Sequence, residues 1–184
     1  MDIKDKLTVK DGLTVKGTIT VMKFNRDIEE YRDPVTGEID YERFYAENEP
    51  YEVKTFNNLF LTNGIETLWK LFVGQSGVTP FNSSNAHVGV GDGTTAPAAS
   101  QTGLTGTNKF FKVVDSGYPT VSGNTVTFQA TFSGTEANFT WNEFGVANGN
   151  NPPTTGVLFN RATQSLGTKQ SGQTWALRVT LSIS

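Results

Sequence analysis

Apolar and polar residues alternate most regularly in two stretches of this chain. Between Asn124 and Val146, Val126, Phe128, Ala130 and Phe132 share one parity, while Thr125, Thr127, Gln129 and Thr131 take the other. A Ser-Gly-Thr-Glu turn follows, after which Phe139, Trp141 and Glu143 again share a parity. A period of two among β-branched and aromatic residues marks strands with one buried face. The stretch therefore predicts the central hairpin of a β-sandwich. Near the end of the sequence, Trp175, Leu177, Val179, Leu181 and Ile183 alternate with Ala176, Arg178, Thr180, Ser182 and Ser184. That pattern predicts a strand apolar on its inner side and polar on its outer side.

Shorter strands are predicted at 86–90, 110–114 and 157–161, and residues 50–56 can add another. One helix is predicted within 57–73. Ile65, Leu68, Trp69 and Phe72 fall at i, i+3, i+4 and i+7, a single apolar stripe. Asn63 is the expected cap, Glu66 the capping-box acid and Gly74 the stop. Trp69 is expected in the core. The fold class is mainly β: an antiparallel two-sheet β-sandwich, jelly-roll-like, with one short helix and an extended N-terminal ribbon and arm.

The ribbon is a repeat. Leu7-Thr-Val9, Leu13-Thr-Val15 and Ile19-Thr-Val21 recur with Asp11-Gly12 and Lys16-Gly17 between them. A ribbon this short does not bury its own apolar face. Leu7, Val9, Leu13, Val15, Ile19 and Val21 therefore pack either between subunits or against their own domain.

Charge divides the chain. Residues 1–55 carry 9 Lys/Arg and 13 Asp/Glu of the chain's 15 and 18. This predicts two parts: a ribbon and charged arm over 1–55 for attachment and oligomerisation, and the sandwich over 56–184. In the arm, Tyr31, Tyr41, Phe44, Tyr45 and Tyr51 interleave with the charges. Such a segment suits an arm laid across a neighbouring surface; the competing reading is a solvated loop.

The net charge of -3 supplies no basic stripe, so no nucleic-acid partner is expected. No apolar run reaches the length of a membrane span, so no membrane partner is expected either. The charged start, MDIKDKL, lacks the apolar core of a secretory signal, so if the protein leaves the cell, lysis or carriage within a particle is the expected route. There is no cysteine, hence no disulfide or thiolate metal site.

Candidate chemistry is sparse. His87 lies in an apolar strand context and reads as a structural histidine. Gly91-Asp92-Gly93 lacks both the Lys-Ser/Thr of a phosphate loop and the acidic series of a calcium loop, so it reads as a tight turn. Past residue 55 the acids are Glu66, Asp92, Asp115, Glu136 and Glu143. Glu143 shares parity with Phe139 and Trp141 and so faces inward, where a bare carboxylate is costly. Arg161 is its natural partner, and a partly buried ion pair fixing two strands is expected. No catalytic residue, metal or cofactor is expected.

Several stretches, in order, resemble a widespread type of tailed-bacteriophage virion protein. They are Asn58-Leu59 through Ile65 and Leu68, Val88 through Pro97, Phe128 through Phe132, Trp141 through Val146, Leu158 through Arg161, and Gln173 through Thr180. The N-terminal repeat is similar to the stems of phage fibres and head-attached proteins, which commonly trimerise. The resemblance implies a structural part of the virion: a capsid decoration or cement protein, a head fibre, or a tail-collar fibre. It implies partners in the major capsid protein or other virion subunits, a homotrimer, and location in a virion assembled in the host cytoplasm. The short ribbon and single compact sandwich favour a cement protein. The alternative is a tail or neck fibre component that binds a host glycan or protein.

Overall fold

The computed structural model describes residues 15–183. Ten strands form two antiparallel five-stranded sheets. The first sheet contains β1 (Val15–Phe24), β2 (Glu52–Asn57), β6 (Thr120–Ser122), β7 (Thr125–Phe132) and β10 (Thr174–Ile183), in the order β2-β1-β10-β7-β6. The second contains β3 (Leu59–Phe60), β4 (His87–Gly91), β5 (Lys109–Val113), β8 (Glu143–Ala147) and β9 (Asn160–Thr163), in the order β3-β9-β8-β4-β5. A 3-10 turn spans Ile28–Tyr31, and helices α1 and α2 span Tyr41–Glu47 and Thr62–Phe72.

The core lies between the sheets. Ile19, Val21, Phe132 and Val179 from the first meet Val90 and Phe144 from the second. Trp141 and Trp175 cross edge-to-face at 4.9 Å. The alternation of β10 sets this layer: its odd-numbered residues from Trp175 to Leu181 are buried. Burial of such side chains, at about 1.5–3 kcal/mol each, is the main term holding the sheets together.

Four expectations are corrected. First, Asn124–Val146 is not a hairpin. β7 lies in the first sheet and β8 in the second, and the chain crosses between them at Trp141. Trp141 packs on Phe132 behind it and Phe144 ahead of it, which makes the crossing part of the core.

Second, Thr55 marks no structural boundary. β1 pairs with β10 over its whole length, from Val15↔Ile183 to Phe24↔Thr174, and with β2 on its other side. Ile19 and Val21 are fully buried in their own domain and form no intersubunit ribbon. Val15 is exposed, while Leu7, Val9 and Leu13 lie outside the described residues.

Third, the charged segment is a layer on its own sheet. Phe24, Ile28, Tyr31, Phe44 and Ala176 form a second core, with Ile39, Tyr41 and Tyr45 against it. Phe44 sits edge-on to Phe24 at 5.0 Å, to Tyr31 at 5.3 Å and to Tyr45 at 5.3 Å. Of the arm contacts expected from sequence, only Tyr51 is substantially exposed.

Fourth, the apolar stripe of α2 faces outward. Gly64 and Thr67 are buried, and a Cβ on Gly64 would stand 2.4 Å from the Phe159 carbonyl oxygen. The glycine lets the helix approach the backbone there, and that contact turns Ile65, Leu68, Trp69 and Phe72 away from the core. Leu61, not Asn63, precedes the helix, and no side chain caps it. Gly74 follows with φ +69, the left-handed conformation that ends helices.

Candidate functional site

Glu143 opens β8 and Arg161 lies on the adjacent β9, so the sheet itself brings them together. Both side chains are fully buried, with Arg161 Nη2 2.6 Å and Nε 3.0 Å from Glu143 Oε2. All five guanidinium N–H groups are engaged. The remaining three reach the Thr95 carbonyl at 2.8 Å, Gln101 Oε1 at 2.9 Å and Thr105 Oγ1 at 3.0 Å. Glu143 accepts further bonds from the Thr105 amide at 2.9 Å, the Gly106 amide at 2.6 Å and the Gly93 amide at 3.3 Å.

The pair is therefore a clamp on the long loop between β4 and β5. Gly93 and Gly106 approach so closely that a Cβ on Gly93 would stand 2.6 Å from Glu143 Oε1. Asp92 closes the loop by accepting from the amide and side chain of Asn108 at 3.0 and 2.6 Å. Burial pushes the Glu143 carboxyl up. The Thr105 amide, the Arg161 guanidinium and the Gly106 amide outweigh it and hold the group below its usual range. Each lone pair and each proton of the pair is held, so neither group is free to take or give a proton. The parity of Glu143 and Arg161 pointed to their meeting; nothing in the sequence pointed to Thr105, Gly106 or Gln101, which come from a loop without period.

A second polar cluster lies under the charged layer. Asp115 accepts from the Thr131 amide at 2.9 Å, Thr131 Oγ1 at 2.6 Å and Gln129 Nε2 at 3.3 Å. Tyr45 Oη lies 2.7 Å from Thr131 Oγ1 and accepts from Gln129 Nε2 at 3.3 Å. Arg178 donates twice to Gln129 Oε1, at 3.0 and 2.7 Å. Burial raises both the Asp115 carboxyl and the Tyr45 phenol. A groove of about 510 Å³ opens beside this cluster, lined by Glu29, Arg32, Tyr41, Lys112, Asp115 and Glu136. Its cations are already paired, Arg32 with Glu29 at 2.7 Å and Lys112 with Glu136 at 2.5 Å.

Two buried lysines complete the inventory, and neither was visible in the sequence. Lys23 bonds Glu52 and the Leu166 carbonyl, both at 2.5 Å, and stands 4.3 Å from the centre of the Trp175 ring. Lys169 donates to the Ser133 carbonyl at 2.6 Å and Asn138 Oδ1 at 2.8 Å, and burial pushes its pKa down to about 8. His87 is half-buried, with Nδ1 2.8 Å from the Asn85 carbonyl. Among the described residues, no group of three or more His, Cys, Asp or Glu side chains is placed to hold a metal ion. No described helix is long and apolar enough to cross a membrane.

An apolar site lies at one end of the sandwich. A groove of about 390 Å³ runs between α2 and the ends of β1, β7 and β10. Leu68 and Leu71 of the helix face Val15, Val126, Leu181 and Ile183 across it. Compared with protein-family models, with curated proteins and with solved structures, the chain matches none.

Proposed function

We propose that this protein is a structural component of a tailed-bacteriophage virion, most simply a decoration or cement protein that binds the assembled head as a homotrimer. One observation carries the reading. The ionic groups best suited to chemistry are spent on internal clamps, while an apolar surface at one end is left open. A molecule so arranged acts through what it covers. The stretches that resemble phage proteins also converge: Gly91–Gly93, Glu143 and Arg161, far apart in sequence, meet in one clamp. The same reading takes the sandwich as a jelly-roll-like winding, supported by the pairing of β1 with β10.

A cement protein stabilises by linkage. It binds the assembled lattice and not its free subunits, and so favours assembly by mass action. Several weak contacts per oligomer multiply into firm attachment. Because β1 and β2 belong to the sandwich, the attachment expected of residues 1–55 narrows to residues 1–14 and the exposed surface. The test uses undecorated mature heads of the phage that encodes the protein. Saturable binding with a raised head melting temperature is the expected result. No binding to heads, with binding to host cells or a glycan array instead, would establish the fibre alternative.

A further inference from the structure

Lys169 is only 1% exposed, yet among the described residues its ammonium has no carboxylate partner. The comparable lysines do: Lys23 holds Glu52 and Lys112 holds Glu136. Both acceptors of Lys169 are uncharged oxygens on one turn, the Ser133 carbonyl at 2.6 Å and Asn138 Oδ1 at 2.8 Å. A buried charge so placed is costly, and with its pKa lowered to about 8 roughly a tenth of the amine is neutral at pH 7. A C=O bond is about 1.2 Å long, so Nζ stands within about 4 Å of the Asn138 carboxamide carbon.

The turn is built to hold this contact. Ala137 is the one non-glycine residue with positive φ, +49, among the described residues. Its carbonyl accepts from Trp141 Nε1 at 2.9 Å, which anchors the strained turn in the core. Asn138 Nδ2 donates to the Gly134 carbonyl at 2.8 Å, fixing the plane of the carboxamide. The Lys169 amide donates to the Phe139 carbonyl at 3.1 Å, beside the Thr140–Thr168 bridge, so the two side chains start from paired backbones. Asp27 and Glu136 each hold an amide of the turn, Gly134 and Ser133, both at 2.9 Å. Theirs are also the carboxylate charges that reach Lys169, which makes both of them positioning residues.

We propose that Lys169 and Asn138 join in an intramolecular isopeptide bond, a modification that the folded chain carries out on itself. The neutral Nζ attacks Asn138 Cγ, and the Cγ–Nδ2 bond breaks. Two of the three ammonium protons end on the departing nitrogen. An ammonium and a carboxamide thus become a secondary amide and an ammonium ion, with no oxidant and no co-reactant. Carboxamides resist amines in solution; the fold supplies the proximity that makes the attack effectively unimolecular, and burial supplies the neutral nucleophile. Asn138 is exposed on its other side, so the ammonium ion leaves directly to water. The product exchanges a buried charge for a neutral amide, whose N–H can still serve the Ser133 carbonyl. It also closes a covalent loop around β8, β9 and the Glu143–Arg161 clamp, which restricts the unfolded chain. The inference goes beyond the virion reading and depends only on the fold. Until the bond closes, Lys169 titrates as a free amine, and Asn138→Ala keeps it so.

Intact-mass spectrometry of the full purified chain, before and after prolonged incubation, provides the test. The expected main species is lighter than the sequence by one ammonia. Trypsin is expected to spare Lys169 and to release one branched peptide joining residues 113–161 to 162–178. Lys169→Met and Asn138→Ala are each expected to keep the full sequence mass. The wild-type measurement needs no variant, so a variant that fails to fold does not blunt it. A wild-type chain still at full sequence mass after incubation would overturn the proposal. So would an ammonia loss that persists in Lys169→Met, which would belong to an asparagine cyclising on its own backbone. A chain that carries the bond but does not bind heads removes the virion reading and leaves this one standing.

Discussion

The segment from Asn25 to Tyr51 and the helix α2 make an instructive pair, because each does the opposite of what its composition suggests. The first is the most charged part of the molecule, yet it buries Ile28, Tyr31 and Phe44 against the outer face of its own sheet. The second carries an amphipathic stripe, yet turns it to solvent. In both cases local chemistry decides. Asp27 and Asp40 cap the 3-10 turn and α1, accepting from the Glu29 and Arg43 amides at 3.1 and 2.9 Å. These turns aim the aromatics inward while the charges stay in water, where pairs such as Arg43–Glu47 add little. In α2, Gly64 fits against the Phe159 backbone, and that contact outranks the stripe in choosing which face is buried.

The contrast can be tested by substitution. The largest loss is expected at the clamp, which sets the scale for a fully buried group. Arg161→Ala should cost about 3–5 kcal/mol in denaturant unfolding, because it strands the Glu143 carboxylate. Removing both partners should cost clearly less than the two single losses together. Phe44→Ala should cost about 3 kcal/mol, the low end for a buried aromatic, since the layer lies at the molecule's edge and can relax. A loss below half of that would mean the charged segment is not a true layer.

Tyr45→Phe should cost roughly 1–2 kcal/mol by removing a hydroxyl bonded to Thr131 and Gln129. Trp69→Ala should change the stability of the single fold by no more than about 0.5 kcal/mol, as for other exposed positions, when measured at concentrations too low for association. The comparison fails if Trp69→Ala costs as much as Phe44→Ala.

A pH series on the unlinked chain probes a buried cation instead of an apolar face. Burial holds Lys169 at about 8 in the folded state, below its unfolded value, so the folded protein binds fewer protons between the two. Stability from this group should therefore rise as pH climbs from 8 towards 10, and Lys169→Met should flatten that rise. Readings belong below pH 10, since the raised Tyr41 and Tyr45 phenols work in the reverse direction above it.

Much of the sandwich was legible in the sequence, and the reasons are physical. Strands with one face in the core must alternate, so β7 and β10 stand out. The alternation does not say which sheet a strand joins, which is why the run through Trp141 reads as a hairpin although it changes sheets. Parity placed Glu143 and Arg161 inward, and β8 and β9 are neighbours. The rest of the clamp hangs on backbone amides of Gly93, Thr105 and Gly106, whose identities carry no mark of that role. The two cores were not separable from composition, because the second is built from aromatics spaced among charges without a period. A cap residue such as Asp40 ahead of Phe44 was the one local sign of α1.

The pairing of β1 with β10 also bears on synthesis. A ribosome releases β1 before the other strands of its sheet, and β2 can cover one of its edges soon afterwards. The other edge must wait for β10, about 150 residues later, or roughly 8–30 s at ordinary elongation rates. For that interval the nascent chain carries an uncovered strand rich in valine and isoleucine, open to pairing with any neighbouring chain. Slowing translation should therefore lower the yield of well-formed protein, and a chaperone that shields this edge should restore it.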